Sequence, residues 1–287
     1  MPSGVLLVDK PKGITSMDVV EGVKGRFYVK AGHAGTLDPI ATGLLVVLVN
    51  EATKFSQFFT GLDKTYITTA KLGEIRDTYD TEGKVVEVRP VEVSCEDIVK
   101  SLNRFLGKLM QTPPSFSAKR IKGKRAYELA RRGIKVEIKP VEVHVYRADL
   151  KSCSLPCVEL LFEVSSGAYI RSLVHQLGLE LFCGAHVVEL RRLRVGGFYI
   201  EKAISYERLM SLDDLSGLLI PVGDALSFLQ KVSLSKSLAQ RIRKGMPVKL
   251  NTPHERTFLR LYEGVNFLGV GLIEDKQLKP YRLMQGL

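Results

Sequence analysis

Residues 32–43 read Gly-His-Ala-Gly-Thr-Leu-Asp-Pro-Ile-Ala-Thr-Gly, and Leu44-Leu-Val-Val-Leu-Val49 follows without a break. Gly32, Gly35, Gly43 and Pro39 deprive the first stretch of helix and strand propensity, so it is a loop. The apolar run behind it has the length and composition of a buried strand. One acidic residue, Asp38, is thus presented on a loop anchored to a rigid element. Asp-Pro is also the ordinary signature of a side-chain turn onto the local backbone, so the carboxylate has two readings at this point.

Working outward, residues 5–8 read as a short strand. Ser16 is a candidate cap for a helix running to about Lys30, with Val19, Val20, Val23 and Phe27 at helical spacing. Residues 65–72 alternate as a strand, and residues 84–88 as another. Ser94 caps a helix carrying Ile98, Val99, Leu102 and Leu106 that Gly107 stops. Residues 141–150 and 158–164 read as two long strands, and residues 169–183 as a helix with Leu173, Leu177, Leu179 and Leu181, ended by Gly184. Strands and helices are interspersed without regular β-α-β alternation. An α+β fold with a mixed, largely antiparallel sheet is therefore expected for residues 1–230. After Gly197 an acidic, helical-looking connector runs through Leu229. A small basic unit follows over residues 231–287, with strand-like alternation at residues 258–262 and 267–273.

The 287 residues suffice for a substantial core. Lysine and arginine outnumber the acids by 42 to 31, a formal charge of +11, which is the footprint of a polyanion binder. The excess is clustered. After Pro113-Pro114, residues 119–139 hold nine Lys/Arg against Glu128 and Glu137, where a solvated helix face would mix signs. Cys95, Cys153, Cys157 and Cys183 lack Cys-x-x-Cys spacing and are read as reduced, structural thiols. His175 and His186 have no metal-ligand spacing to any Cys or Asp pair, and His144 is read as a strand-face residue, so no metal is expected. No signal peptide or membrane-length apolar run is present, which points to a cytoplasmic protein. Neither a phosphate loop nor a G-x-G-x-x-G fingerprint occurs, so ATP and dinucleotide chemistry are disfavoured and no cofactor is expected.

The loop resembles the catalytic loop of the TruB family of tRNA pseudouridine synthases, with His33, Gly35, Leu37, Asp38, Pro39 and Gly43 on the pattern. Four further motifs follow the family's order: Asp9-Lys-Pro-Lys-Gly-Ile-Thr-Ser16, Lys64-Thr-Tyr66, Ser166-Gly-Ala-Tyr-Ile-Arg-Ser172 and Ala185-His-Val-Val-Glu-Leu-Arg-Arg-Leu-Arg194. The resemblance implies a pseudouridine synthase catalytic domain, a basic RNA-clamping insertion at about residues 115–140 and a PUA-like β-barrel at the C-terminus. It also implies isomerisation of uridine to pseudouridine at position 55 in the T loop of tRNA. The expected partner is the T arm, bound by a monomer with no obligatory protein partner and no membrane. The alternatives are a guide-RNA-dependent relative and a non-catalytic tRNA-binding or folding module; the insertion favours the stand-alone enzyme.

The reaction breaks N1–C1′, turns the base and joins C5 to the same carbon, with no redox step. Asp38 suits the nucleophile or base. Arg171 suits its cationic partner, holding the carboxylate through two parallel hydrogen bonds. By resemblance, Tyr66 stacks on the uracil and takes the C5 proton, Tyr169 and Leu190 wall the pocket, Lys64 meets phosphate, and His33 contacts the opened RNA loop.

Overall fold

The computed structural model describes residues 2–114, 120–121, 124–125, 138–249 and 256–285. Seven principal strands carry the first part of the chain: β1 (Gly4–Lys10), β2 (Thr42–Val49), β3 (Lys64–Leu72), β4 (Gly107–Gln111), β5 (Val141–Ser154), β6 (Cys157–Val164) and β7 (Ala185–Val195). They form one sheet in the order β1-β2-β7-β3-β6-β5-β4. Ile204–Ser205 extends it beyond β1, while Ala31–His33 and Phe198–Tyr199 pair with β2 and β7. Among the described residues, the β2–β7 pair and the β1 pair with Ile204–Ser205 are parallel and the rest antiparallel, so the sheet is mixed and largely antiparallel as expected.

Burial explains the strand sequences. Leu45, Val47 and Val49 of β2 join the main core with Leu6 and Val8 of β1, whereas Leu44, Val46 and Leu48 join a second core on the opposite face with Val5 and Leu7. A strand covered on both faces reads as a continuous apolar run, which is what residues 44–49 show. In β3 alternate residues are buried, because one face alone is covered.

Three helices, α1 (Ser16–Phe27), α2 (Cys95–Arg104) and α3 (Ile170–Glu180), contribute Val19, Val20, Val23, Ile98, Leu102, Leu173, Val174 and Leu177 to the main core. The cap of α1 is Thr15, in a capping box with Asp18, and not Ser16. Ser16 is buried and does something else, described below. The helix also stops earlier than expected, because Tyr28 adopts a left-handed conformation at φ 52°. Ser94 caps α2 as expected, but Val99 and Leu106 are exposed.

The reading of the cysteines is corrected. Cys95 at the start of α2 and Cys153 in β5 form a disulfide, with Cα atoms 6.1 Å apart, while Cys157 and Cys183 are free. Spacing rules look for local pairs, and a separation of 58 residues is visible only once α2 has packed on β5. The basic cluster at residues 119–139 lies almost wholly outside the described residues. Its N-terminal root is β4, which pairs antiparallel with β5.

The acidic connector is less helical than its composition suggests. It contains the short helices Tyr206–Met210 and Val222–Ala225, and it places Leu209 and Leu215 in the main core and Val222 and Leu226 in the second. Beyond it, β8 (Gln230–Ser233), β9 (Val248–Lys249), β10 (Thr257–Glu263), β11 (Asn266–Glu274) and β12 (Gln277–Leu283) make a curled five-stranded sheet in the order β8-β10-β11-β12-β9. Helix α4 (Lys236–Arg243) packs on it, burying Ala239 and Ile242 in a third core. This unit is tied to the first. Phe258 and Tyr281 cluster around Phe58, Phe267 meets Phe55, and Tyr281 Oη donates to Gln57 Oε1 at 3.0 Å.

Candidate active site

The loop bearing Asp38 is held from three sides. The Ser16 hydroxyl at the start of α1 accepts from the Leu37 N–H at 2.8 Å and donates to the Leu37 carbonyl at 3.0 Å. Arg192 of β7 donates to the Gly35 carbonyl at 3.0 Å and, through Nε, to the Leu44 carbonyl at 2.7 Å, bracketing the loop. The Gly13 N–H donates to the Pro39 carbonyl at 2.8 Å. Gly43 is required by this arrangement: its φ is +101°, and a Cβ there would lie 2.3 Å from the Arg192 carbonyl oxygen. An Ala41 N–H to Asp38 carbonyl bond closes a turn over the proline, which leaves the Asp38 side chain free to face elsewhere.

That side chain faces Arg171. The Asp38 carboxylate lies 2.9 Å from Arg171 Nε, with the guanidinium buried and the carboxylate one-third exposed. Arg171 is the second residue of α3, and its Nη1 also donates to Asp80 Oδ2 at 3.1 Å and to the Thr78 carbonyl at 3.0 Å. Two carboxylates thus share one cation, the second of which, Asp80, was not expected from the sequence. Asp80 is fully buried and is fixed in turn by the Thr78 hydroxyl at 2.6 Å and the Glu82 N–H at 3.1 Å. Behind this turn, Tyr79 stacks on His175 of α3 with ring centroids 3.8 Å apart, and burial lowers the His175 pKa.

A cavity of about 490 Å³ opens on this pair. Asp38, Lys64, Tyr66, Tyr169, Arg171 and Leu190 all line it, so six of the seven residues expected from the sequence converge. Tyr66 reaches the cavity from the buried face of β3 and Leu190 from β7. Tyr169 is set by Gln111, whose side-chain amide accepts from the Tyr169 N–H at 2.7 Å and donates to its carbonyl at 3.0 Å. The seventh, His33, is half-buried at the end of the Ala31–His33 strand, outside the cavity lining.

Lys64 is placed differently from a surface phosphate ligand. Its side chain is buried and Nζ donates to the Thr60 carbonyl at 2.7 Å and the Leu62 carbonyl at 2.5 Å. Burial, with a further push from Arg192, lowers its pKa to about 8. Lys10 is similar: Nζ donates to the carbonyls of Pro11 and Ile14, and burial lowers its pKa to about 8 against the opposing pull of Asp38. The Lys64 ammonium holds the turn that starts at Thr60 in the cavity wall, and the Lys10 ammonium holds the turn whose Gly13 N–H bonds to Pro39 beside Asp38.

Sequence reasoning missed Asp80, Ser16 in this role, Gln111 and Arg192. Each acts on a residue 21 to 157 positions away; Ser16 and Arg192 fall within motifs quoted above, but their partners do not show in the sequence, and Asp80 and Gln111 carry no local signal.

Comparison with known proteins agrees with the geometry. Residues 23–170 match the family described as TruB family pseudouridylate synthase (N terminal domain), residues 171–227 the tRNA pseudouridylate synthase B C-terminal domain, and residues 231–284 Pseudouridine synthase II TruB, C-terminal. The chain is 46% identical over 284 residues to tRNA pseudouridine synthase B of Aquifex aeolicus (strain VF5), covering 98% of this chain and 99% of that protein. It is 43% identical over 291 residues to tRNA pseudouridine synthase B of Pasteurella multocida (strain Pm70), covering 98% and 95%. A solved H/ACA RNP bound to a substrate RNA containing 2′-deoxyuridine superposes with a TM-score of 0.76 at 22% identity, over 99% of this chain and 85% of that one, which shows the same fold. Family models matched across residues 23–227 and 231–284, with 40–46% identity to the curated relatives over nearly the full length, place the chain in the TruB family of pseudouridylate synthases.

Proposed function

We propose that the chain converts uridine to pseudouridine at position 55 in the T loop of tRNA, acting without a guide RNA. The observation that carries this is the Asp38–Arg171 ion pair at 2.9 Å, set at a cavity walled by Tyr66, Tyr169 and Leu190. Asp38 is the one-third-exposed member of the Asp38–Arg171–Asp80 group and initiates detachment of the base, while buried Asp80 serves to hold Arg171. Tyr66 faces the uracil and receives the C5 proton once the C5–C1′ bond has formed; Tyr169 and Leu190 keep the freed base between their side chains while it turns. The product is an isomer of the substrate, so atoms and electrons balance within the nucleotide.

Residues 1–230 form the catalytic domain and residues 231–287 an RNA-binding one. The basic insertion at about residues 115–140 supplies phosphate contacts to the T arm, and His33 meets the opened loop. Full-length similarity to proteins named tRNA pseudouridine synthase B supports tRNA as the substrate. Incubation of the purified chain with an unmodified tRNA transcript, followed by pseudouridine mapping, tests the reading. Modification confined to the T-loop uridine is expected; a requirement for a guide RNA or a protein partner would overturn it.

A further inference from the structure

On the exposed side of β5, beside the cavity, His144 and Tyr146 are stacked with ring centroids 4.5 Å apart and planes at 24°. Val145 between them points into the core. Tyr146 is 48% exposed, so core burial does not account for the pair. Both ends of the stack are fixed to segments that run directly into the cavity wall. The His144 N–H donates to Ser165 Oγ at 2.9 Å and its carbonyl accepts from the Ser165 N–H at 2.8 Å, next to Ser166 and Gly167, which line the cavity. The Tyr146 hydroxyl donates to Asp63 Oδ1 at 3.5 Å, next to Lys64 in the same lining. Glu142, two positions before His144 on the same side of the strand, also lines the cavity.

Cations flank the rings. Lys108 of β4 stands directly opposite His144 in the sheet register, is 70% exposed and pairs with Glu142 at 3.1 Å. Arg147, half-exposed, follows Tyr146 and pairs with Asp149. A fixed, exposed aromatic surface with cations at its margin is the arrangement that takes unpaired nucleobases while cations track the backbone.

We propose that His144 and Tyr146 form a stacking platform for an unpaired nucleobase adjacent to the uridine in the cavity. The inference rests on the RNA substrate proposed above. When one base is drawn into the cavity, its neighbours lose their own stacking partners, and a ring surface beside the mouth replaces what they lose. The stack of the two rings on each other orients Tyr146 beforehand, so less freedom is lost on binding.

The experiment uses the full-length chain and a T-arm hairpin carrying 2-aminopurine at the nucleotide on one side of the target uridine, then on the other. With the wild type, binding should quench the fluorophore at one of the two positions. Tyr146→Ala should abolish that quenching and raise Kd by about ten-fold, the loss falling on Kd more than on the saturating single-turnover rate. Tyr146→Phe, which keeps the ring and loses the bond to Asp63, should retain most of the quenching and affinity. Wild-type quenching and Kd in a Tyr146→Ala protein of unchanged thermal stability would overturn the platform. Equal loss in the Phe and Ala variants would overturn it too, since the hydroxyl and not the ring would then matter. Failure of the wild type to form pseudouridine in tRNA would instead remove the functional reading, while the quenching comparison would still report on the platform.

Discussion

Arg171 satisfies two carboxylates of different character, one fully buried and one open to the cavity. With both carboxylates ionised the group carries one net negative charge, and the buried Asp80 alone suffices to balance the guanidinium if Asp38 is neutralised. The planar fork spans Asp38 through Nε and Asp80 through Nη1, which one ammonium cannot do at the same distances. Arg171→Lys should therefore lower the single-turnover rate by roughly 10²-fold or more, because a small displacement of the reacting group is enough for that. Rates equal to wild type would show that the pair is structural. At this scale the sequence was most legible in position: the motifs bearing Asp38, Tyr66 and Arg171 converge on one cavity. It was least legible for Asp80, whose only signal is a side chain meeting Arg171 across 91 positions. For Lys64 the sequence placed the residue at the cavity, but nothing local shows that its ammonium turns inward to two carbonyls.

Among the elements, β2 and β7 do the most to place the site. Their parallel pairing sets Gly43 against Arg192, and the Arg192 side chain then returns to the loop at Gly35. Gly43→Ala should lower stability by about 2 kcal/mol or more, from the strained φ and the contact with the Arg192 carbonyl, and Tm by roughly 4–8 °C. A thermal melt matching wild type would contradict the close approach of these strands. The strands themselves were readable because burial leaves a period in the sequence, continuous in β2 and alternating in β3. The cap of α1 was misplaced by one residue because Thr15 and Ser16 are equally good caps by type, and only the fold shows Ser16 engaged with Leu37. The disulfide was not readable, since it depends on α2 lying over β5. It closes a loop of 58 residues that includes the root of the basic insertion, and reduction or Cys95→Ser should lower stability by up to roughly 4 kcal/mol. A Tm that is insensitive to reductant would show that the cysteines are not joined in solution.

Across the whole molecule, the C-terminal sheet is packed against the first part of the chain. Phe258, Phe267 and Met284 pack on the second core, and the aromatic cluster around Phe58 sits on residues 50–60, the segment that ends at Thr60 in the cavity wall. Composition marked this unit as basic and separate, but its packing was hidden because an aromatic docking face looks like any other core pattern. Removing residues 231–287 should therefore expose Phe55 and Phe58 and lower the Tm of the remaining chain, with reactivity toward a T-arm hairpin falling alongside. An unchanged Tm would show that the tail is only an anchor. Anchoring is read separately by Arg241→Gln with Lys244→Gln in the full chain, where each lost phosphate contact should flatten the log–log salt dependence of binding by about 0.9. Asp38 is the residue on which the proposed chemistry depends. The measurement that bears most directly on this is pseudouridine formation by Asp38→Asn under single-turnover conditions, with tRNA affinity measured in parallel. No product at an affinity close to wild type is expected, since most binding energy comes from phosphate contacts elsewhere; pseudouridine formed by the variant at the wild-type rate would contradict the assignment of Asp38.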